Sequence, residues 1–273
     1  MAFHPMIISS KANPKYKQLI QLHTGHGRKK SGLFIIEGQR ELSRALLAKI
    51  SLEYGVFSQS AIEKIDKVPQ KVQAWMNHPK TLILSDDLFQ KISLRESPDG
   101  FMGVAKMWDC DISKINLKPD GLYLLVEKLE KPGNLGALMR SAEATGVDGF
   151  FVADPLVDIF NPHVIRTSQG AVFNLNIAWD TSENLLKIFE KHALQLLATT
   201  PHTDTLYWNC DLTKGSVICV GSEAYGLTEL WMQKAQKILI PMYGNSADSL
   251  NAAIAGTLCL YEARRQRYFE VKL

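Results

Sequence analysis

From Leu122 onward, short apolar runs alternate with helical patterns, and that alternation leaves the second half of the chain few possible architectures. The runs are Leu122–Val126, Gly149–Val152, Leu194–Thr199, Val217–Val220 and Lys237–Ile240. Helical periodicity covers Leu135–Thr145, Pro162–Gly170, Glu183–His192, Leu227–Gln236 and Ser249–Arg267. Short strands separated by helices predict a parallel sheet with helices on its faces.

The first half is a smaller α/β pattern. Asn13-Pro14 opens a helix carrying Tyr16, Leu19, Ile20 and Leu22, and Gln39–Lys49 forms another. Strands are expected at Leu33–Ile36, Tyr54–Phe57, Thr81–Leu84 and Phe101–Met107, with a flexible cationic loop over His23–Gly32. A length of 273 residues favours two domains. The polar, aperiodic stretch Cys110–Asp120 reads as the linker between them. The expected division is therefore 1–109, 110–120 and 121–273.

Charge follows that division. Residues 1–109 carry 16 Lys+Arg against 10 Asp+Glu, and residues 110–273 carry 15 against 18. A basic first domain beside a net-acidic second one points to an acidic partner for the first, with nucleic acid the leading candidate. No apolar run approaches the roughly 20 residues of a membrane span. Met1–Ile8 lacks the basic segment and apolar core of a signal peptide, so a soluble cytoplasmic chain is expected. Cys110, Cys210, Cys219 and Cys259 form no C-x-x-C pair and no zinc spacing, which argues against a disulfide framework or structural metal.

Three loops follow apolar runs and carry polar residues into helical stretches. They are Glu130–Gly136, Gly221–Gly226 and Pro241–Asn251. In an open α/β sheet such loops gather at the carboxyl ends of the strands, where ligands bind. Each loop also has an ordinary reading. Asn134 suits a helix N-cap, Arg140 a solvated helical face, Glu223 a cap for the helix near Leu227, and Asp248 or Ser249 a cap for the last helix. Gly133-x-x-Gly136, with Asp154 beyond the next strand, fits half of a dinucleotide fingerprint, but the G-x-G-x-x-G pattern is missing. H-E-x-x-H, P-loop and G-x-S-x-G motifs are absent.

Taken together the loops resemble the SpoU (TrmH) branch of the SPOUT superfamily of RNA ribose 2′-O-methyltransferases. Four ordered stretches carry the resemblance: Asn134–Arg140, Asn161–Phe173, Gly221–Leu227 and Ile240–Met242 with Ser249–Asn251 and Tyr261–Gln266. Lys29–Gly38 is similar to the accessory substrate-binding domain common in the family. The resemblance implies a trefoil-knotted, parallel-sheet α/β domain at the C-terminus and a smaller N-terminal α/β substrate-binding domain. It implies a homodimer that uses S-adenosyl-L-methionine and no metal. Asn134, Arg140, Glu223, Ser249 and Asn251 match the family's functional positions, and backbone around Thr199, Gly221, Ile240, Met242 and Leu250 would hold the methyl donor. Arg28, Lys29, Lys30 and Arg166 are candidate RNA contacts, with ribosomal RNA favoured over transfer RNA. A non-catalytic RNA-binding relative and a nicotinamide-dependent oxidoreductase stand as alternatives.

Overall fold

Strand β2 (Leu33–Glu37) shows how the first half organises itself, because alternate residues serve opposite faces. Ile35 joins Tyr16, Leu19, Leu22, Val56, Phe89 and Val104 in one core. Phe34, on the other face, packs edge-on to Trp108 with ring centroids 5.7 Å apart and lies 5.0 Å from Phe160. These contacts come from a computed structural model describing residues 7–64, 68–244, 246 and 249–270. The chain separates into two units, residues 1–108 with 158–174, and residues 109–157 with 175–273.

The first unit is a mixed sheet in the order β1-β4-β3-β5-β2, with β1 at Ile7–Ile8, β3 at Leu52–Ser58, β4 at Thr81–Leu84 and β5 at Phe101–Lys106. Strand β5 runs antiparallel to both β2 and β3, while β4 is parallel to β1 and β3. Its own sequence supplies α1 (Pro14–Leu22), α2 (Gly25–Ser31), α3 (Gln39–Leu47), α4 (Gln59–Ile62), α5 (Gln70–Met76) and α6 (Asp86–Ile92).

Helix α2 corrects the expectation of a flexible loop over His23–Gly32. Thr24 caps it by accepting the Gly27 N–H at 3.0 Å, and Gly32 ends it at φ 66°. A side chain at Gly27 would sit 2.0 Å from the Gln21 carbonyl oxygen, so that glycine serves close packing rather than flexibility.

The second unit is an all-parallel sheet in the order β11-β9-β10-β6-β7-β8. Its strands are β6 (Leu122–Glu127), β7 (Gly149–Ala153), β8 (Ile177–Asp180), β9 (Gln195–Thr199), β10 (Ser216–Val220) and β11 (Gln236–Ile238). Helices α7 (Pro132–Thr145), α9 (Ser182–Lys191), α10 (Glu229–Lys234) and α11 (Ala252–Glu270) connect or follow them. One face buries Tyr123, Leu125, Phe151, Phe189 and Trp231. On the other, a Cβ at Gly256 of α11 would meet Leu138 of α7 at 2.6 Å, so the two helices approach closely there.

Two expectations change. The pattern at Pro162–Gly170 holds a short helix, α8 (Pro162–Thr167), that packs with the first unit instead of covering the second sheet. The Cys110–Asp120 stretch is attached to the second unit: Cys110 is buried and its carbonyl accepts the Trp179 N–H at 3.1 Å.

From β6 the sheet grows through β7 to β8, and the chain then returns to build β9, β10 and β11 on the other side of β6. Strands β6 and β10 therefore flank the topological switch point, the place where open α/β sheets bind ligands.

Candidate active site

All three loops singled out above leave the carboxyl ends of strands around this switch. Loop one follows β6, loop two follows β10 and loop three follows β11. In register, Ile238 is level with Thr199, and Cys219 with Ala198. Thr199, Gly221 and Ile240 consequently cluster at one edge.

The ordinary reading of Asn134 as an N-cap does not hold. Lys131 is the N-cap of α7, Pro132 is the first helical residue, and Asn134 lies inside the first turn. Its side chain is free to work across loops. The Nδ2 group donates to Glu223 Oε1, and Oδ1 accepts from Asn251 Nδ2 at 3.1 Å. Asn251 is the true cap of α11, its Oδ1 accepting the Ala253 N–H at 2.9 Å, in place of Asp248 or Ser249. Asp248 lies outside the described residues.

The polarity of this relay follows from the cap. Because α11 takes the Asn251 oxygen, only its NH2 remains to reach Asn134. That fixes the Asn134 oxygen toward Asn251 and its NH2 toward Glu223. The relay ends at Glu223 Oε2, which is buried and has no partner among the described residues. A buried acceptor left open is costly unless a ligand supplies a donor or positive charge. Nor does Glu223 cap a helix: α10 begins at Glu229 with Thr228 as its N-cap.

Arg140 stands exposed on α7, about 9 Å along the helix from Asn134. It has no hydrogen bond or ion pair with any described residue, so neither Asn134 nor Glu223 holds it. A free guanidinium is available for an oxygen or phosphate of a substrate. Ser249 is exposed without a bonded partner among the described residues, and Leu250, Met242 and Ile240 are half-buried. The Thr199 hydroxyl donates to the Cys219 carbonyl at 3.0 Å. Gly221 is buried where a Cβ would fall 2.0 Å from the Gly226 carbonyl carbon, so only glycine fits the root of loop two.

Sequence reasoning missed Glu127, the polar end of an apolar strand. Glu127 is fully buried and holds the far end of loop two. Its Oε2 accepts the Thr228 N–H and its Oε1 the Thr228 hydroxyl, both at 2.7 Å. Asp154, the ribose-binding acid of the dinucleotide reading, is instead bonded to Ser182, whose hydroxyl donates to it at 2.7 Å. A cleft of about 450 Å³ beside it is lined by Asp109, Asp111, Asp154, Asp180 and Trp179. Its acidic wall is unsuited to RNA. Among the described residues no cluster of His, Cys, Asp or Glu could hold a metal, and no helix is long and apolar enough to cross a membrane.

In the first unit the structure corrects one RNA-contact candidate. Arg28 is 2% exposed, bonds the carbonyls of Leu22 and His23, and pairs with Asp158 at 2.5 Å. Lys29 and Lys30 are exposed, and Arg166 is exposed with one bond to the Leu94 carbonyl at 3.0 Å.

Residues 121–261 match the model of the SpoU rRNA Methylase family, and residues 13–103 that of the MRM3-like substrate binding domain. The chain belongs to the SpoU rRNA methylase family. With that membership come its trefoil-knotted sheet and its chemistry, S-adenosylmethionine-dependent 2′-O-methylation of RNA, which removes the oxidoreductase reading. A solved RNA 2′-O ribose methyltransferase is 39% identical to this SpoU chain, covering 96% of it and 100% of that structure at a TM-score of 0.83. An AdoMet-bound rRNA methyltransferase from Sinorhizobium meliloti is 26% identical, covering 95% and 97%, at 0.84. The 23S rRNA (guanosine(2553)-2′-O)-methyltransferase RlmP of Bacillus subtilis is 25% identical over 94% of the chain and 98% of its own length.

Proposed function

We propose that this SpoU methyltransferase acts on ribosomal RNA as a cytoplasmic homodimer, with Asn134, Arg140, Glu223, Ser249 and Asn251 forming the active site. The observation that carries the assignment is the Asn251–Asn134–Glu223 relay, which ties together the loops after β6, β10 and β11 and ends in an open buried carboxylate oxygen.

S-adenosylmethionine supplies a methyl group already activated by the positive charge on its sulfur. The residues fit such a donor, since its cationic and N–H groups match the unpartnered Glu223 oxygen. Backbone around Thr199, Gly221, Ile240, Met242 and Leu250 would hold it. What the protein must add is alignment, because a ribose hydroxyl is a weak nucleophile near neutral pH. Arg140 positions that hydroxyl and offsets the negative charge that grows on it; its very high pKa makes it a poor proton acceptor.

Ribosomal RNA is supported by the rRNA methyltransferases from Sinorhizobium meliloti and Bacillus subtilis and by the basic N-terminal region. Residues 1–109 serve as the RNA-binding domain and 121–273 as the methyltransferase domain, to which 110–120 is attached, with Lys29, Lys30 and Arg166 as phosphate contacts. The homodimer is supported by Ile254, Leu258, Tyr261 and Tyr268, all exposed at spacings of four, three and seven along α11. That single helical stripe suits a second copy of the same helix.

The test is transfer of labelled methyl to unmodified ribosomal and transfer RNA, followed by mapping of 2′-O-methyl positions. Incorporation into transfer RNA alone would overturn the substrate assignment.

A further inference from the structure

Tyr225 is 87% exposed, yet its backbone is braced by hydrogen bonds of its own loop. Ser222 and Gly226 exchange N–H···O bonds in both directions at 3.1 and 3.0 Å, closing a small ring of chain. The Ser222 hydroxyl accepts the Tyr225 N–H at 3.1 Å. Gly226 turns the chain at φ 67°, and Gly221 seals the loop root where no side chain fits. Two residues before Tyr225, Glu223 is fastened to Asn134. An exposed ring on a loose loop is commonplace. Here the structure holds an exposed phenol ring on the same short loop as the unpartnered carboxylate oxygen.

We propose that Tyr225 is a stacking platform for a nucleobase of the RNA strand entering this site. The inference rests on the RNA methyltransferase reading and adds the residue that seats the strand. Charge argues for stacking rather than phosphate attraction: residues 110–273 carry 15 basic against 18 acidic side chains, so this half of the chain draws RNA poorly. An aromatic face binds any base, because every base presents a π surface, and its contribution does not depend on counterion release. Tyr225 therefore positions the strand without reading its sequence.

The experiment measures binding of in vitro transcribed ribosomal RNA to the full chain, saturated with S-adenosylhomocysteine, at several salt concentrations. Wild type, Tyr225→Ala, Tyr225→Phe and Tyr225→Trp are compared. Tyr225→Ala should weaken RNA binding roughly 5- to 150-fold, the range of one base–aromatic stack. The slope of log affinity against log salt, the S-adenosylhomocysteine affinity and the oligomeric state should stay unchanged. Phe and Trp should restore binding. Wild-type affinity in Tyr225→Ala would overturn the proposal, and so would an altered oligomeric state or cofactor affinity, since the ring would then serve an interface or the donor pocket. A wild-type protein that binds no RNA would sink the substrate reading and Tyr225 with it.

Discussion

Asn251 donates to Asn134 across 117 residues of sequence, and the same Asn251 caps α11, so the helix that closes the domain also orients the active-site amide. A capping interaction, ordinarily worth about 0.5–2 kcal/mol, here also sets the direction of a hydrogen-bond relay.

Asn134→Ala should therefore separate assembly of the site from stability of the fold. Turnover is expected to fall roughly 10²- to 10³-fold, the scale of losing one preorganising group, while the unfolding midpoint shifts little. Asn134→Asp should be worse, because it places a second carboxylate against Glu223 and removes the donor. Steady-state kinetics beside thermal unfolding check both; equal activity in the two variants would contradict the relay.

Arg140 has no partner among the described residues, so removing it should leave the structure intact. Arg140→Ala should abolish most methyl transfer while S-adenosylhomocysteine binds as before, measured by calorimetry. Arg140→Lys should recover only a small part, since an ammonium lacks the planar fork.

Which residues touch was not legible in the sequence, although which residues matter largely was. The three loops and their strands stand out because apolar runs and helical periods are local signals. The bonds from Asn134 to Glu223 and Asn251 join different elements and leave no period to detect. Strand β8 escaped because it is a four-residue edge strand with Trp179 and Asp180 half-exposed. Helix α2 escaped because its glycines and lysines read as loop, whereas Thr24, Gly32 and the buried Arg28–Asp158 pair hold it helical.

The basic stretch should accordingly divide in function. Replacing Lys29 and Lys30 by alanine should flatten the salt dependence of RNA binding by roughly one unit of slope per cation, with stability unchanged. Arg28→Ala should instead destabilise the first unit by about 3–5 kcal/mol, the cost of breaking a largely buried pair. Denaturant unfolding and salt-titrated binding distinguish the two, and a loss of slope without loss of stability in Arg28→Ala would reverse the assignment.

His23 gives the first unit a pH dependence. Burial lowers its pKa below the ordinary 6.5, aided by Arg28 and His163 and opposed by Glu37, and its Nε2 is buried without a partner among the described residues. The folded protein thus prefers the neutral ring, while the unfolded chain takes up a proton below 6.5. The stabilising contribution is complete above that value and is lost as pH falls through the folded pKa. His23→Gln should unfold with a weaker pH dependence as pH falls below about 6.5. An unchanged profile would assign that dependence to other groups.

The most direct measurement of the central claim is the chemical position of the methyl group on ribosomal RNA after reaction with S-adenosylmethionine. Wild-type protein should leave nuclease-resistant 2′-O-methylated nucleotides at a defined site, and Arg140→Ala should leave only a small fraction of them. Methyl groups found on a base, or equal 2′-O-methylation by the Arg140→Ala protein, would contradict the account.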